Sequence, residues 1–218
     1  MTGMGCLVLT AALFVGTHFL MSHPLRKPLV ARLGERAFQG VYSLVSLLFF
    51  AAMIRCYRAI GRQPLLWEPT EAAWITGTIL MWVGSILFVG SFAGNPALPG
   101  APGPKGAPRG VLAITRHPMM WGFALWALTH ILVVATFKAV IFDGALIVLA
   151  LVGSALQDRK KAGLMGAKWH EWTAQTAFFP FGRGLAHPGM FALVAGTLLF
   201  LLASWLHPLP VGLWRWIG

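Results

Sequence analysis

The segment Thr115-Arg-His-Pro-Met-Met-Trp-Gly-Phe-Ala-Leu-Trp-Ala-Leu-Thr-His130 opens with a basic residue and then loses formal charge altogether. From Pro118 to Val134 no residue is charged at neutral pH. Proline has no backbone N–H to lose, so Pro118 suits the first turn of a helix. His130 lies about 18 Å further along such a helix, at ~1.5 Å per residue. An ionisable side chain at that depth is costly without a partner, so the segment predicts a membrane helix that carries a functional histidine.

The apolar character extends over the whole chain of 218 residues, which is 57% hydrophobic and 11% charged. Soluble domains carry roughly 25% charged residues. A membrane helix needs about 20 mostly apolar residues, and the runs that qualify are Gly5–Met21, Phe38–Tyr57, Ala73–Phe92, Pro118–Thr136, Ala139–Gln157 and Pro188–Trp205. We therefore expect an all-α polytopic membrane helix bundle of about six transmembrane helices, in a single transmembrane domain over residues 1–218.

The connections between these runs differ in composition. Only Phe137-Lys138 separates the fourth run from the fifth, which predicts a tight antiparallel hairpin. The stretch Asn95–Gly110 is rich in proline and glycine, so it is expected to be irregular. The segment Lys168–Thr176 combines two tryptophans with charges and predicts a short interfacial helix.

The formal net charge is +11, from 17 Lys and Arg against 6 Asp and Glu. In a soluble protein this excess would suggest nucleic acid. Here the basic residues fall between apolar runs, which is typical of membrane anchoring, so the bilayer is the expected partner and nucleic acid is not. The connections 22–37, 93–117 and 158–187 hold 12 of the 17. The positive-inside rule therefore places these three in the cytoplasm and both termini outside.

Two histidines, His18 and His130, lie inside apolar runs on different helices. For each of them two interpretations stay open. The first is a polar side chain satisfied within the bundle, and the second is a metal ligand or proton carrier. Without neighbouring carboxylates or thiolates, two such histidines suit haem iron better than zinc. Zinc takes four ligands, whereas haem needs one or two axial side chains.

Arg116 and His117 stand at the cytoplasmic boundary of the fourth run. An arginine there can bind a phosphate, a carboxylate or a haem propionate; contact with lipid headgroups and helix capping is the alternative. His18 is about five residues from its cytoplasmic helix end and His130 about twelve, a depth difference of roughly 10 Å. His117 matches the depth of His18 better, so it competes with His130 as a second ligand.

The remaining acidic and cysteine side chains give little indication of a catalytic site. Asp158 is expected to pair locally with the basic residues that follow it, and Asp143 is compatible with facing water near the outer end of its run. No Ser/His/Asp arrangement is visible, which argues against hydrolysis. Cys6 and Cys56 both fall near the outer face. Because nothing in the sequence fixes their separation, a disulfide between them is not the favoured expectation.

Several segments are similar to the NnrU family of bacterial membrane proteins. They are Thr17–Arg26, Arg32–Glu35 followed by Tyr42–Ser46, Thr115–His130 and Phe179–Phe181. The resemblance extends over almost the whole chain. It implies a place in the bacterial inner membrane and a link to denitrification, in which the family is implicated in nitrite and nitric oxide reduction. A membrane reductase is the partner that this implies.

NnrU proteins are in turn similar to 15-cis-ζ-carotene isomerase of plants and cyanobacteria, which binds haem b through two histidines on separate membrane helices. This resemblance implies haem b held by His18 and His130, with Arg116 and His117 also in the cofactor site. It implies redox chemistry or redox-dependent cis–trans isomerisation of a lipophilic polyene. The isomerase has a cysteine three residues before its second ligand, where this chain has Ala127. A His/Cys ligand switch is therefore not available here.

Two other functions compete with a haem protein. Arg116-His117-Pro118 resembles the Arg-His-Pro-x-Tyr-x-Gly element of isoprenylcysteine methyltransferases, which use S-adenosylmethionine. Here no tyrosine follows the element, and Asp158 and Glu171 are the only candidates for the acidic cofactor contacts. The third function is that of a non-enzymatic membrane partner, which delivers haem or assembles a nitrite or nitric oxide reductase.

Overall fold

The structure of the protein is a computed structural model that describes residues 3–98, 101 and 103–217. Its helices are α1 (Gly3–Ser22), α2 (Arg26–Leu33), α3 (Glu35–Ala59), α4 (Glu71–Gly90), α5 (Val111–Ile114), α6 (Pro118–Val134), α7 (Phe137–Met165), α8 (Ala167–Gln175), α9 (Met190–Trp205) and α10 (Trp214–Ile217). Among the described residues, α1, α3, α4 and α7 are long and apolar enough to cross a membrane, and α6 and α9 are shorter apolar helices. The predicted all-α polytopic membrane bundle is confirmed.

Each predicted run corresponds to one apolar helix, and the largest differences in length have local causes. The fifth run was predicted to end at Gln157, but α7 continues to Met165. Its last turns stay helical because Gln157 and Lys161 donate to carbonyls of the 95–98 segment, at 3.1 and 3.0 Å. The 22–37 connection contains a helix of its own, α2, which ends at Leu33 and is followed by Gly34 with a φ of 77°.

The apolar helices pack in the order α3, α1, α7, α6, α4, α9, and each contacts mainly its neighbours in that order. The predicted hairpin between α6 and α7 is confirmed. It turns at Ala135, which has a φ of 49°, and at Thr136, whose hydroxyl accepts a hydrogen bond from the Ala139 N–H. α7 therefore lies between α1 and α6.

Small residues allow the helices to approach closely. A Cβ on Gly122 of α6 would lie 2.9 Å from the Gly84 carbonyl oxygen of α4, and a Cβ on Gly196 of α9 would lie 2.5 Å from the Ile86 Cα. Both contacts are to backbone, so these pairs have no room for a larger side chain. α4 is thereby fixed between α6 and α9.

One end of the bundle, here called the basic end, carries the connections 22–37, 93–117 and 158–187. At the opposite end, the 60–68 connection covers the α6–α7 hairpin, with the Leu66 N–H donating to the Ala135 carbonyl at 2.7 Å. Also at this end, Cys6 and Cys56 form a disulfide that joins α1 to α3, with Cα atoms 5.7 Å apart. The sequence did not favour this bond, because it does not show that α1 and α3 are neighbours.

The predicted interfacial helix is present as α8, but its tryptophans do not face the bilayer. Trp169 and Trp172 are buried against Leu112 of α5. α8 is therefore packed onto the basic end of the bundle through its aromatic face.

Candidate functional site

His18 lies in α1, one turn from the basic end. Its Nδ1–H donates to the Phe14 carbonyl at 2.6 Å, because a carbonyl can only accept. The imidazole packs edge-on against the rings of Phe14 and Tyr42, with centroids 4.5 and 5.5 Å away. Since Tyr42 belongs to α3, the ring of His18 is oriented by both α1 and α3.

His130 lies one turn before the end of α6, on the side of the bundle away from the basic end. Its Nδ1–H donates to the Trp126 carbonyl at 2.9 Å, and its ring lies 4.0 Å from the Trp126 ring. His207, which follows α9, lies at the same end of the bundle. The surroundings of His130 are therefore those of the end opposite to His18.

The structure does not bring His18 and His130 together. α7 separates their helices, and the two residues lie near opposite ends of the bundle. From the helix bounds their depths differ by about 12 Å, at ~1.5 Å per residue, close to the difference that the sequence predicts. Two side chains that bind one metal ion must lie within a few ångströms of each other, because each metal–nitrogen bond is only about 2 Å long.

Taken singly, each histidine nevertheless makes the hydrogen bond that metal-binding histidines make. Ligating histidines donate one ring N–H to a backbone carbonyl or carboxylate and bind the metal through the other nitrogen. In His18 and His130 the bond from Nδ1 leaves Nε2 for such a role. Within the described residues, no three His, Cys, Asp or Glu side chains converge on a metal position. Each histidine thus keeps Nε2 for a ligand, and α7 separates the two helices that carry them.

Arg116 and His117 form a polar cluster with Asp158 of α7. The Arg116 Nε–H donates to one carboxylate oxygen at 2.7 Å, and His117 Nε2 lies 2.8 Å from the other. His117 is 3% exposed, and the side chains of Arg116 and Asp158 are also largely buried. Asp158 was expected to pair with the basic residues that follow it. It pairs instead across the helix interface, because it lies on the face of α7 that meets the start of α6.

The polar cluster also holds the segment that follows α8. The Arg116 side chain donates to the Thr176 carbonyl at 3.3 Å, and its guanidinium lies 5.4 Å from the Phe178 ring. The Phe178 carbonyl accepts from the Thr115 hydroxyl at 2.6 Å and from the Trp121 indole at 2.8 Å. Segment 176–178 is therefore fixed to the start of α6 by several hydrogen bonds.

Asp143 is the buried acid that the sequence interpretation placed wrongly. It is 4% exposed and lies on the same face of α7 as the buried Ala139 and Ala150. The expectation that it faces water is wrong, because that face is turned into the bundle and the 60–68 connection covers the nearby hairpin. The indication in the sequence was that Asp143 follows Ala139 by four residues, which places both on the same face of the helix.

The family model described as NnrU protein matches residues 6–215, which is nearly the entire chain. The chain belongs to the NnrU family. No solved structure matches it.

The chloroplastic 15-cis-zeta-carotene isomerase of Zea mays is 34% identical to this NnrU protein over 111 residues. The match takes in 46% of the chain and 30% of the maize protein. The chain thus aligns with less than a third of the length of the isomerase. Since the segment from His18 to His130 is more than half of the chain, the match cannot include both histidines.

Proposed function

We propose that this NnrU protein is an integral membrane haem b protein, acting in redox chemistry or in redox-dependent cis–trans isomerisation of a lipophilic polyene. The observation that supports the proposal is the state of the two intramembrane histidines. Both donate Nδ1–H to a carbonyl of their own helix and keep Nε2 without a hydrogen-bond partner among the described residues. The distant relation to a carotene isomerase supports the choice of a polyene.

In this proposal His18 and His130 would each hold haem iron through Nε2, independently of the other. When bound, haem iron supplies electron-transfer chemistry that side chains lack. The chain's own part is to orient the ligands. Phe14 and Tyr42 hold the ring of His18, and Trp126 holds that of His130. Ala127, fully buried beside His130, offers no sulfur for an exchange of ligands.

Arg116 is proposed as the anion contact at the basic end. Its Nε and one terminal nitrogen are used by Asp158 and Thr176, and the other terminal nitrogen has no hydrogen-bond partner among the described residues. That nitrogen can donate to a propionate or another anionic group. His117 remains the competing candidate for iron, because Asp158 occupies its Nε2 and leaves Nδ1 in the same way that the helix carbonyls leave Nε2 of His18 and His130.

The proposal is tested by measuring haem bound per chain in purified protein and in the variants His18→Ala, His130→Ala and the double variant. Each single variant is expected to keep part of the haem, because the two histidines do not share an iron, and the double variant is expected to lose it. His170→Ala is the matched control, since His170 is exposed on α8. Haem that is retained in full by the double variant would contradict the assignment of ligands.

The two competing functions make different predictions. A methyltransferase of the isoprenylcysteine type would bind S-adenosylmethionine in calorimetry and lose it on Arg116→Ala. Both oxygens of Asp158, one of its candidate cofactor contacts, are already bonded to Arg116 and His117. A non-enzymatic partner in denitrification would co-purify with a nitrite or nitric oxide reductase and show no turnover of carotenoids.

A further inference from the structure

An apolar cleft of about 200 Å³ opens between α4, α5, α9 and the segment that follows α8. Its lining includes Trp82, Ile86, Ile114, Phe181, Pro188 and Leu193. Trp82 and Phe181 are 39% and 40% exposed, so the cleft opens on the surface of the bundle. Neither His18 nor His130 lines it.

The cleft lies a few ångströms inside the basic end of the bundle, the end at which lipid headgroups are expected to meet the basic connections. Ile86 is about 6 Å from the basic end of α4, and Leu193 is about 5 Å from the start of α9, at ~1.5 Å per residue. The Phe181 N–H donates to the Ile114 carbonyl at 3.0 Å and ties two of the walls together. The cleft is therefore a built feature of the bundle at the basic end.

Two arginines lie beside the cleft along the chain, and their segments hold no acidic residue. Arg109 precedes Gly110, whose Cβ position would lie 2.9 Å from the Pro188 carbonyl oxygen, and Arg183 follows Phe181 by two residues. Both arginines are exposed. Residues 93–142 and 172–218 contain no Asp or Glu. The positive charge of both segments thus has no acidic residue in either segment to balance it.

We propose that this cleft binds an anionic phospholipid, with an acyl chain in the cleft and the phosphate between Arg109 and Arg183. The apolar lining provides the place for the chain, and the two exposed arginines that flank the cleft in the chain provide charge complementarity for the phosphate. Basic pockets between membrane helices select anionic headgroups in this way. The site is separate from the proposed haem ligands and does not depend on them.

Native mass spectrometry of the full chain tests the proposal. The protein is released from detergent micelles that contain either phosphatidylglycerol or phosphatidylcholine with the same acyl chains. Wild type is expected to retain one phosphatidylglycerol per chain and to lose phosphatidylcholine. The double variant Arg109→Gln/Arg183→Gln is expected to retain phosphatidylglycerol about tenfold more weakly.

The matched control is Arg58→Gln/Arg62→Gln, which removes two exposed arginines at the opposite end of the bundle and is expected to retain the lipid as wild type does. Ala186→Phe fills the cleft and is expected to reduce retention without changing the charge. If Ala186→Phe does not fold, the Arg109→Gln/Arg183→Gln variant still tests the proposal, because exposed arginines can be replaced without disturbing the packing. Equal retention of the two lipids by wild type, unchanged retention by the Arg109/Arg183 variant, or a second copy of the chain in place of lipid would overturn the proposal.

Discussion

At the scale of the residue, Asp158 organises the basic end by using both of its carboxylate oxygens. One accepts from Arg116 and the other lies against His117, so α7 and the start of α6 meet at one acid, and Arg116 in turn donates to the segment after α8. The sequence identified Arg116 and His117 as site residues because they stand at a helix entrance. It did not identify Asp158 as their partner. Asp158 was expected to pair with the basic residues that follow it, Arg159 to Lys161, because a contact between helices cannot be read from the sequence alone.

The role of Asp158 is tested by Asp158→Asn. Removing the carboxylate leaves the guanidinium of Arg116 buried without its counter-charge, and breaking one partner of a buried pair costs about 3–5 kcal/mol. We expect the free energy of unfolding in detergent to fall by an amount of that order. Glu171→Gln is the control, because Glu171 is exposed on α8 and its replacement is expected to leave stability unchanged. Equal stability of the two variants would contradict the account of the polar cluster.

Trp121 tests the anchoring of the segment after α8. Trp121→Phe keeps an aromatic ring but removes the indole N–H that donates to the Phe178 carbonyl at 2.8 Å. The Thr115 hydroxyl still bonds to that carbonyl, so the expected loss of stability is small, about 1 kcal/mol. Faster hydrogen exchange confined to residues 176–181 is the expected measurement. Exchange that is unchanged there, or raised throughout the bundle, would count against the anchoring role.

At the scale of the element, the apolar helices were predictable and their ends were less so. Runs of about 20 apolar residues mark spans by composition alone, and each of them became a helix. The extra turns of α7 were missed because they contain charged residues, whose stabilising contacts with the 95–98 segment are long-range. α2 was missed because it is not apolar.

The close packing of α4 on α6 is tested by Gly122→Ala. The added Cβ would lie 2.9 Å from the Gly84 carbonyl oxygen, a backbone atom that cannot rotate away. Overpacking of this kind costs roughly 1–3 kcal/mol, so thermal unfolding is expected at a lower temperature. Gly144→Ala is the control, since nothing lies within 4 Å of its Cβ position. Alanine there is expected to be neutral or stabilising by up to about 1 kcal/mol.

At the scale of the whole molecule, the sequence predicts the class of fold and a difference in depth of roughly 10 Å between His18 and His130. It does not predict which helices are neighbours. For this reason the disulfide was not favoured and the separation of the two histidines by α7 was not foreseen. Both depend on which helices pack against each other. Neither the charge pattern nor the hydropathy of the sequence shows this.

The disulfide gives a test of the whole bundle and of its orientation in the membrane. A bond that closes a loop of about 50 residues stabilises by about 4 kcal/mol in the chain-entropy account, so Cys6→Ser is expected to lower the unfolding temperature.

The positive-inside prediction puts the end of the bundle that carries the disulfide outside the cytoplasm. After reduction in intact cells, an impermeant maleimide added outside is therefore expected to label Cys6, the less buried of the two cysteines. Labelling only after lysis would contradict that orientation.

The central claim is that this NnrU protein binds haem b in the membrane, and the absorption spectrum of detergent-purified protein tests it most directly. The protein is purified from cells supplied with a haem precursor, and the spectrum is recorded before and after dithionite. The account predicts a Soret band that shifts on reduction. A folded protein, with its disulfide intact, that is colourless and takes up no added haem would contradict it.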